Sequence, residues 1–180
     1  MDTKASEIRL LVIGDPGVQW LQPIRADGFD SVYPDIGISD RGVAAITWWD
    51  KRDGNDEVYL GTMLTSDLYN GHALPERRIT HTQASSIGAY LSWNGDQLAL
   101  VWCDSEEGQS ELYAQFFGSG GEEQGLIRRL TNTPTQSSIP SIRPWNSGFL
   151  VAWNEYQAND SDGTHHSIDR SYGSTALIEP

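Results

Sequence analysis

A tryptophan-centred strand written three times is the feature that most constrains this chain. Ala45-Ile46-Thr47-Trp48-Trp49-Asp50 returns as Ala99-Leu100-Val101-Trp102-Cys103-Asp104 and again as Leu150-Val151-Ala152-Trp153-Asn154-Glu155, at intervals of roughly 50 residues. Other parts of the unit recur with it. Glu57-Val58-Tyr59 matches Glu111-Leu112-Tyr113, each after an acid-Gly turn, Asp53-Gly54 or Glu107-Gly108. Arg77-Arg78-Ile79-Thr80 matches Arg128-Arg129-Leu130-Thr131, and Ser31 to Ile36, Ser85 to Tyr90 and Ser137 to Ile142 align ahead of the tryptophans.

Each unit reads as four short strands with no helical periodicity. The first is of the Ser137-Ser138-Ile139-Pro140-Ser141-Ile142 type and turns through a Gly-bearing corner such as Asn94-Gly95-Asp96 into the Trp strand. The third begins at Glu-Val-Tyr or Glu-Leu-Tyr, after a turn whose Gly supplies positive φ. The fourth ends at Arg-Arg-Ile-Thr or Arg-Arg-Leu-Thr. Along the Trp strands, alternate residues put Ala44, Ile46 and Trp48, then Leu98, Leu100 and Trp102, then Phe149, Val151 and Trp153 on one face. The opposite faces, such as Ala99, Val101 and Cys103, are smaller but also apolar. Burial of both faces excludes a two-sheet sandwich and requires sheets stacked face to face around an axis, the arrangement of a β-propeller.

The repeat units fall at 28–80 and 81–131, with half units at 7–27 and 132–162 and a tail, 163–180, out of pattern. Glu7-Ile8-Arg9 through Gly14 matches Glu111 through Gly118, so the chain enters at a third strand, with Trp20 to Arg25 as the fourth. It leaves after the first and second strands of the last unit. The fold class is therefore all-β: four-stranded antiparallel blades, about three blades' worth, with an incomplete ring in one chain. Complementary half units allow a homodimer closing a six-bladed ring, with a fragment of a longer chain as the other account, and the polar tail is expected to be poorly ordered.

Here the residues reach a family. Trp93-Asn94-Gly95-Asp96-Gln97-Leu98-Ala99-Leu100-Val101-Trp102, followed by the acid-Gly turn and Glu111-Leu112-Tyr113, resembles the propeller repeats of TolB-type and sialidase-like bacterial proteins. The resemblance covers about Glu7 to Glu155. It implies an exported protein, although Met1 to Glu7 lacks the basic start of a leader peptide. It also implies a module that binds a protein or a glycan through loops at one end of the blades. That non-enzymatic scaffold is the sequence reading; the alternative is part of a glycosidase-like or peptidase-associated propeller enzyme.

Composition narrows the partners. With 25 acidic against 12 basic residues the net charge is -13, which repels a phosphate backbone and excludes nucleic acid. The 7 Trp, 7 Tyr and 4 Phe supply a core that an acidic disordered tail would lack. The longest apolar stretches, such as Ile8 to Ile13, fall far short of a membrane-spanning helix, so no membrane insertion is expected.

No catalytic, cofactor or metal site is legible. Trp48, Trp102, Trp153, Tyr59 and Tyr113 read as repeated core positions. Asp50, Asp104 and Glu155 recur in every unit, which suits a carboxylate tying a hairpin better than a catalytic acid needed once. Asp53-Gly54-Asn55-Asp56 and Asp160-Ser161-Asp162-Gly163 lack the full calcium loop and read as surface turns. His72, His81, His165 and His166 have no metal-ligand spacing. Lone Cys103, beside Trp102, reads as a packed hydrophobe. The sialidase resemblance would draw on Arg41, Arg52 or Arg143, but its Ser-x-Asp-x-Gly-x-x-Trp signature is absent.

Overall fold

A computed structural model describes residues 5–14, 17–21, 24, 29–156 and 172–178. A hairpin, β1 (Leu11–Gly14) and β2 (Gly17–Trp20), is followed by a four-stranded antiparallel sheet of β3 (Ser31–Ile38), β4 (Val43–Asp50), β5 (Glu57–Leu64) and β6 (Glu76–Arg78). A second four-stranded sheet comprises β7 (Ser86–Asn94), β8 (Gln97–Asp104), β9 (Glu111–Phe117) and β10 (Glu123–Arg129). The last has three strands, β11 (Gln136–Trp145), β12 (Gly148–Tyr156) and β13 (Tyr172–Ile178). Strands follow one another within each sheet, and β3, β7 and β11 form its first edge. The described sheets do not close a ring, as the sequence pattern required.

Stacking explains the doubly apolar strands. Ile46 and Trp48 of β4 pack with Ile8 and Tyr59 against the β1–β2 side, whereas Ala45, on the other face, joins Leu98, Leu100 and Trp102 of β8 in the next core. Ala99, Val101 and Cys103 then meet Phe149 and Val151 of β12. Among the described residues the series stops at β12, where Leu150 is half-buried and Ala152 exposed. Trp48 and Trp102 are fully buried, but Trp153 is only partly so. Covering each Trp strand takes a sheet on both sides, and among the described residues β12 has one.

A backbone tie repeats between blades. The N–H groups of Ser31, Ser86 and Ser137 donate to the carbonyls of Ser6, Asp56 and Ser110, at 3.1, 2.8 and 2.8 Å. Each acceptor directly precedes a Glu, which makes Glu7, Glu57 and Glu111 equivalent and joins each first strand to the unit before it.

Four readings are corrected. The equivalent of Ser31 is Ser86 rather than Ser85, because the β3–β4 corner runs from Ile38 to Ala44 while Trp93 pairs with Leu98 across a shorter one. A short helix, α1 (Thr65–Tyr69), interrupts the all-strand pattern after β5. The fourth strand of the opening half unit begins earlier than Trp20, at Gly17, and its pairing continues through Leu21 to Leu10 and Ile24 to Ile8, while Arg25 lies outside the described residues. Finally, the tail is not wholly out of pattern: β13 pairs along β12 from Phe149 with Ile178 to Glu155 with Tyr172. It occupies the third-strand place that a closing homodimer would give to a neighbouring copy, so a composite blade requires β13 to give way. Periodicity could not find β13, because more sequence separates Glu155 from its partner Tyr172 than separates Asp50 from Glu57 or Asp104 from Glu111.

Candidate functional site

The repeated acids sit at the blade hairpins. Asp50 accepts the Trp48 indole N–H at 3.2 Å, the Ser31 hydroxyl at 3.4 Å and the backbone N–H of Arg52 at 3.1 Å. Asp104 accepts Ser86 Oγ at 2.6 Å and the Glu106 N–H at 2.8 Å. Glu155 accepts Ser137 Oγ at 2.7 Å and the Trp153 indole at 2.6 Å. Tyr59 and Tyr113 stack on Trp48 and Trp102, with ring centroids 5.9 and 6.2 Å apart. A second repeated acid, Glu57 or Glu111, binds the Thr and the second Arg of the Arg-Arg-Ile/Leu-Thr strand end.

Burial raises the pKa of a carboxylate, but hydrogen bonds outweigh it at three of these acids. Asp50 is held below its ordinary value by the side chain and N–H of Arg52, Glu111 chiefly by Thr131, Gln109 and the Thr133 N–H, and Glu155 by Thr135, Ser137 and Trp153. A depressed folded pKa contributes stability that is complete above the unfolded value and is lost as pH falls through the folded one. Urea midpoints are therefore expected to stay level from about pH 7 to 5 and to fall between about pH 4 and 2. A midpoint unchanged down to pH 2 would refute this linkage.

None of these residues borders a cleft of about 610 Å³ where the starts of β3, β7 and β11 converge. Sequence reasoning missed it because a local distortion makes it. The antiparallel register slips between Val32 and Asp35, between Ile87 and Tyr90 and between Ser138 and Ser141, a bulge at one place in each blade. The bulged residues Tyr33, Gly88 and Ile139 have φ of 52°, 62° and 49°. Glycine adopts that conformation freely, whereas tyrosine and β-branched isoleucine hold it at about 1–3 kcal/mol each. A sequence signal was present: Pro34 and Pro140 follow Tyr33 and Ile139, and proline within a strand marks an edge or a bulge.

All three bulged residues line the cleft, together with Trp49, Gln136 and Asn154. Tyr33 is 71% exposed, and one ring face stacks on Trp49 at 5.4 Å and 11°. Ser110 and Ser138 add hydroxyls, and Cys103 lies in the wall. Burial pushes the Cys103 thiol up to about 11, so it stays protonated at neutral pH and is a poor nucleophile or ligand. Among the described residues, none lining the cleft is charged. Such a surface recognises a neutral molecule with a flat apolar face and hydroxyl groups.

The other candidates are dispersed. Arg52 is held by Asp50 and Glu76, Arg41 pairs with Asp96 at 2.5 Å, and Arg143 donates to the Ile142 carbonyl, so these three arginines share no partner among the described residues. Asp53 bonds Tyr59 and Arg78. His72 lies 3.5 Å from Asp67. Among the described residues no group of three His, Cys, Asp or Glu is placed to hold a metal ion. Asp160 to Gly163, His165 and His166 lie outside the described residues.

No protein-family model matches the chain, and no curated protein does. Among solved structures it is similar to an endo-arabinase from Bacteroides thetaiotaomicron, with 11% identity and a TM-score of 0.57 over 97% of this chain and 74% of that one. It is also similar to an exo-1,5-alpha-L-arabinanase from a bovine ruminal metagenomic library, with 9% identity and a TM-score of 0.50 over 100% of this chain and 72% of the other. At these identities the likeness establishes a propeller-like fold. It also corrects the sequence reading that set this chain apart from enzymes: both neighbours are enzymes by name, and neither carries the TolB-type or sialidase-like label.

Proposed function

We propose that the chain belongs to a glycosidase-type propeller and holds a polysaccharide across its central cleft. The observation that carries this is the cleft wall: an exposed Tyr33 ring backed by Trp49, with Gln136 and Asn154 amides and serine hydroxyls nearby, and no charge among the described residues. Sugar rings present an apolar face to an aromatic ring and hydroxyls to amides and serines. The names of the structural neighbours point to pentose polymers of the arabinan type.

Cleaving a glycosidic bond takes two carboxylates flanking it. On the edge strands β3, β7 and β11 the sequence offers one, Asp35, two residues beyond Tyr33. Its oxygens accept the N–H groups of Ile36 at 3.0 Å and Leu91 at 2.9 Å, which fixes it between neighbouring blades. Asp35 does not line the cleft, and both its oxygens are taken by backbone N–H groups, so in this reading the chain supplies the binding wall and the carboxylates come from sheets completing the ring. The test is calorimetric titration of the chain with arabino-oligosaccharides. Saturable binding is expected, and its absence would sink the reading.

A further inference from the structure

The three bulges share one place in the repeat but not one side chain, and that difference has a chemical meaning. Tyr33 and Ile139 project from left-handed backbone, 71% and 63% exposed, and both line the cleft. Between them in chain order, the middle blade has Gly88 at the same place, also lining the cleft, with φ 62°. A Cβ built on Gly88 would meet nothing nearer than Cys103 Sγ at 3.7 Å, an ordinary contact, so packing does not forbid a side chain there. Space has been left at that position, and the strained positions beside it carry large exposed groups. Burial cannot account for Tyr33 or Ile139, because neither is buried.

We propose that the three aligned bulges form one subsite for a neutral sugar ring, which lies against Gly88 with Tyr33 and Ile139 on its flanks. This rests on the reading that the cleft holds a glycan, and it adds which residues select the ring and which sugars are refused. Tyr33 offers the ring face that Trp49 leaves open, Ile139 gives an apolar edge, and Gly88 sets the room. Refusal of acidic sugars follows from charge. Among the described residues, no arginine or lysine lines the cleft to compensate a uronate or sialate carboxylate, and the chain's net charge of -13 repels one.

The test uses calorimetric titration of the full chain with a neutral arabino-oligosaccharide and, in parallel, an oligogalacturonate. Gly88→Asn fills the room with a residue that tolerates left-handed backbone, so the fold should survive, and its melting temperature checks this. Binding of the neutral oligosaccharide is expected to fall at least about tenfold in Gly88→Asn and about tenfold in Tyr33→Ala, the loss of one stacking contact. Ile139→Gly should weaken binding while its melting temperature holds or rises, because glycine relieves the backbone; a purely structural Ile139 would show the reverse. The oligogalacturonate should bind more weakly than the neutral ligand in every variant. If the wild type binds the neutral ligand and Gly88→Asn binds it equally well, the subsite is wrong while the cleft reading stands. Equal or tighter binding of the oligogalacturonate overturns the neutral assignment, and no binding of either ligand overturns both readings.

Discussion

Replacing Trp102 with alanine is expected to destabilise the chain by about 3–5 kcal/mol, a large fraction of the roughly 5–15 kcal/mol that holds an ordinary domain folded. Trp102 is 1% exposed in the core between the two four-stranded sheets, against Leu60, Trp93 and Leu100, and it stacks on Tyr113. Urea denaturation of the purified variant measures the loss, and a change below about 1 kcal/mol would remove Trp102 from the core. A second substitution separates packing from polarity. The Trp48 and Trp153 indoles donate to Asp50 and Glu155, but Trp102 Nε1 is buried without a partner, and Asp104 bonds Ser86 and Glu106 instead. Trp48→Phe therefore forfeits a hydrogen bond to a carboxylate, worth about 1.5–3 kcal/mol, whereas Trp102→Phe removes an unsatisfied donor and should cost less. Equal losses would mean that the Trp48 bond contributes nothing.

The fold was legible because stacking writes itself into every unit. A strand covered on both faces needs apolar residues without alternation, and Ala99 to Cys103 meets that need in one short run. Hairpin corners were legible through Gly54 and Gly108, whose φ of 105° and 102° few other residues adopt. The one-residue error at Ser85 arose because alignment carried the Trp spacing back through a corner that is longer in one blade. The cleft was harder to see. Its walls come from three blades, and what aims Tyr33 and Ile139 into it is a register slip, which leaves the residue pattern unchanged and the backbone altered. Reading Pro34 and Pro140 as bulge markers would have found two of the three positions.

Removing the Glu57 carboxylate is expected to be as damaging as losing the tryptophan. Glu57→Ala should destabilise the chain by about 3–5 kcal/mol, because the Thr80 hydroxyl loses its acceptor and Arg78 is left with Asp53 in place of a fully buried carboxylate. Glu57 is 0% exposed and accepts from Arg78 at 2.7 Å, Asn55 at 2.9 Å and the Thr80 hydroxyl. The Thr80 oxygen in turn accepts the Val58 N–H at 2.9 Å, so the carboxylate supports the side-chain bond that finishes the β5 edge. Lys51, paired with Asp56 at 3.6 Å and 64% exposed, provides the contrast, since Lys51→Ala should change stability by less than about 1 kcal/mol. If the lost Arg78 pairing is the cause, Glu57→Ala combined with Arg78→Leu should cost less than the sum of the single losses in a double-mutant cycle by urea denaturation. Additive losses would instead place the cost in packing. The next blade holds the same set in Glu111, Thr131 and Arg129, with Thr131 Oγ1 accepting the Leu112 N–H at 2.8 Å. The recurrence of Arg-Arg-Ile/Leu-Thr with Glu-Val/Leu-Tyr thus records one device, a buried carboxylate closing the third strand onto the fourth, which both four-stranded sheets build.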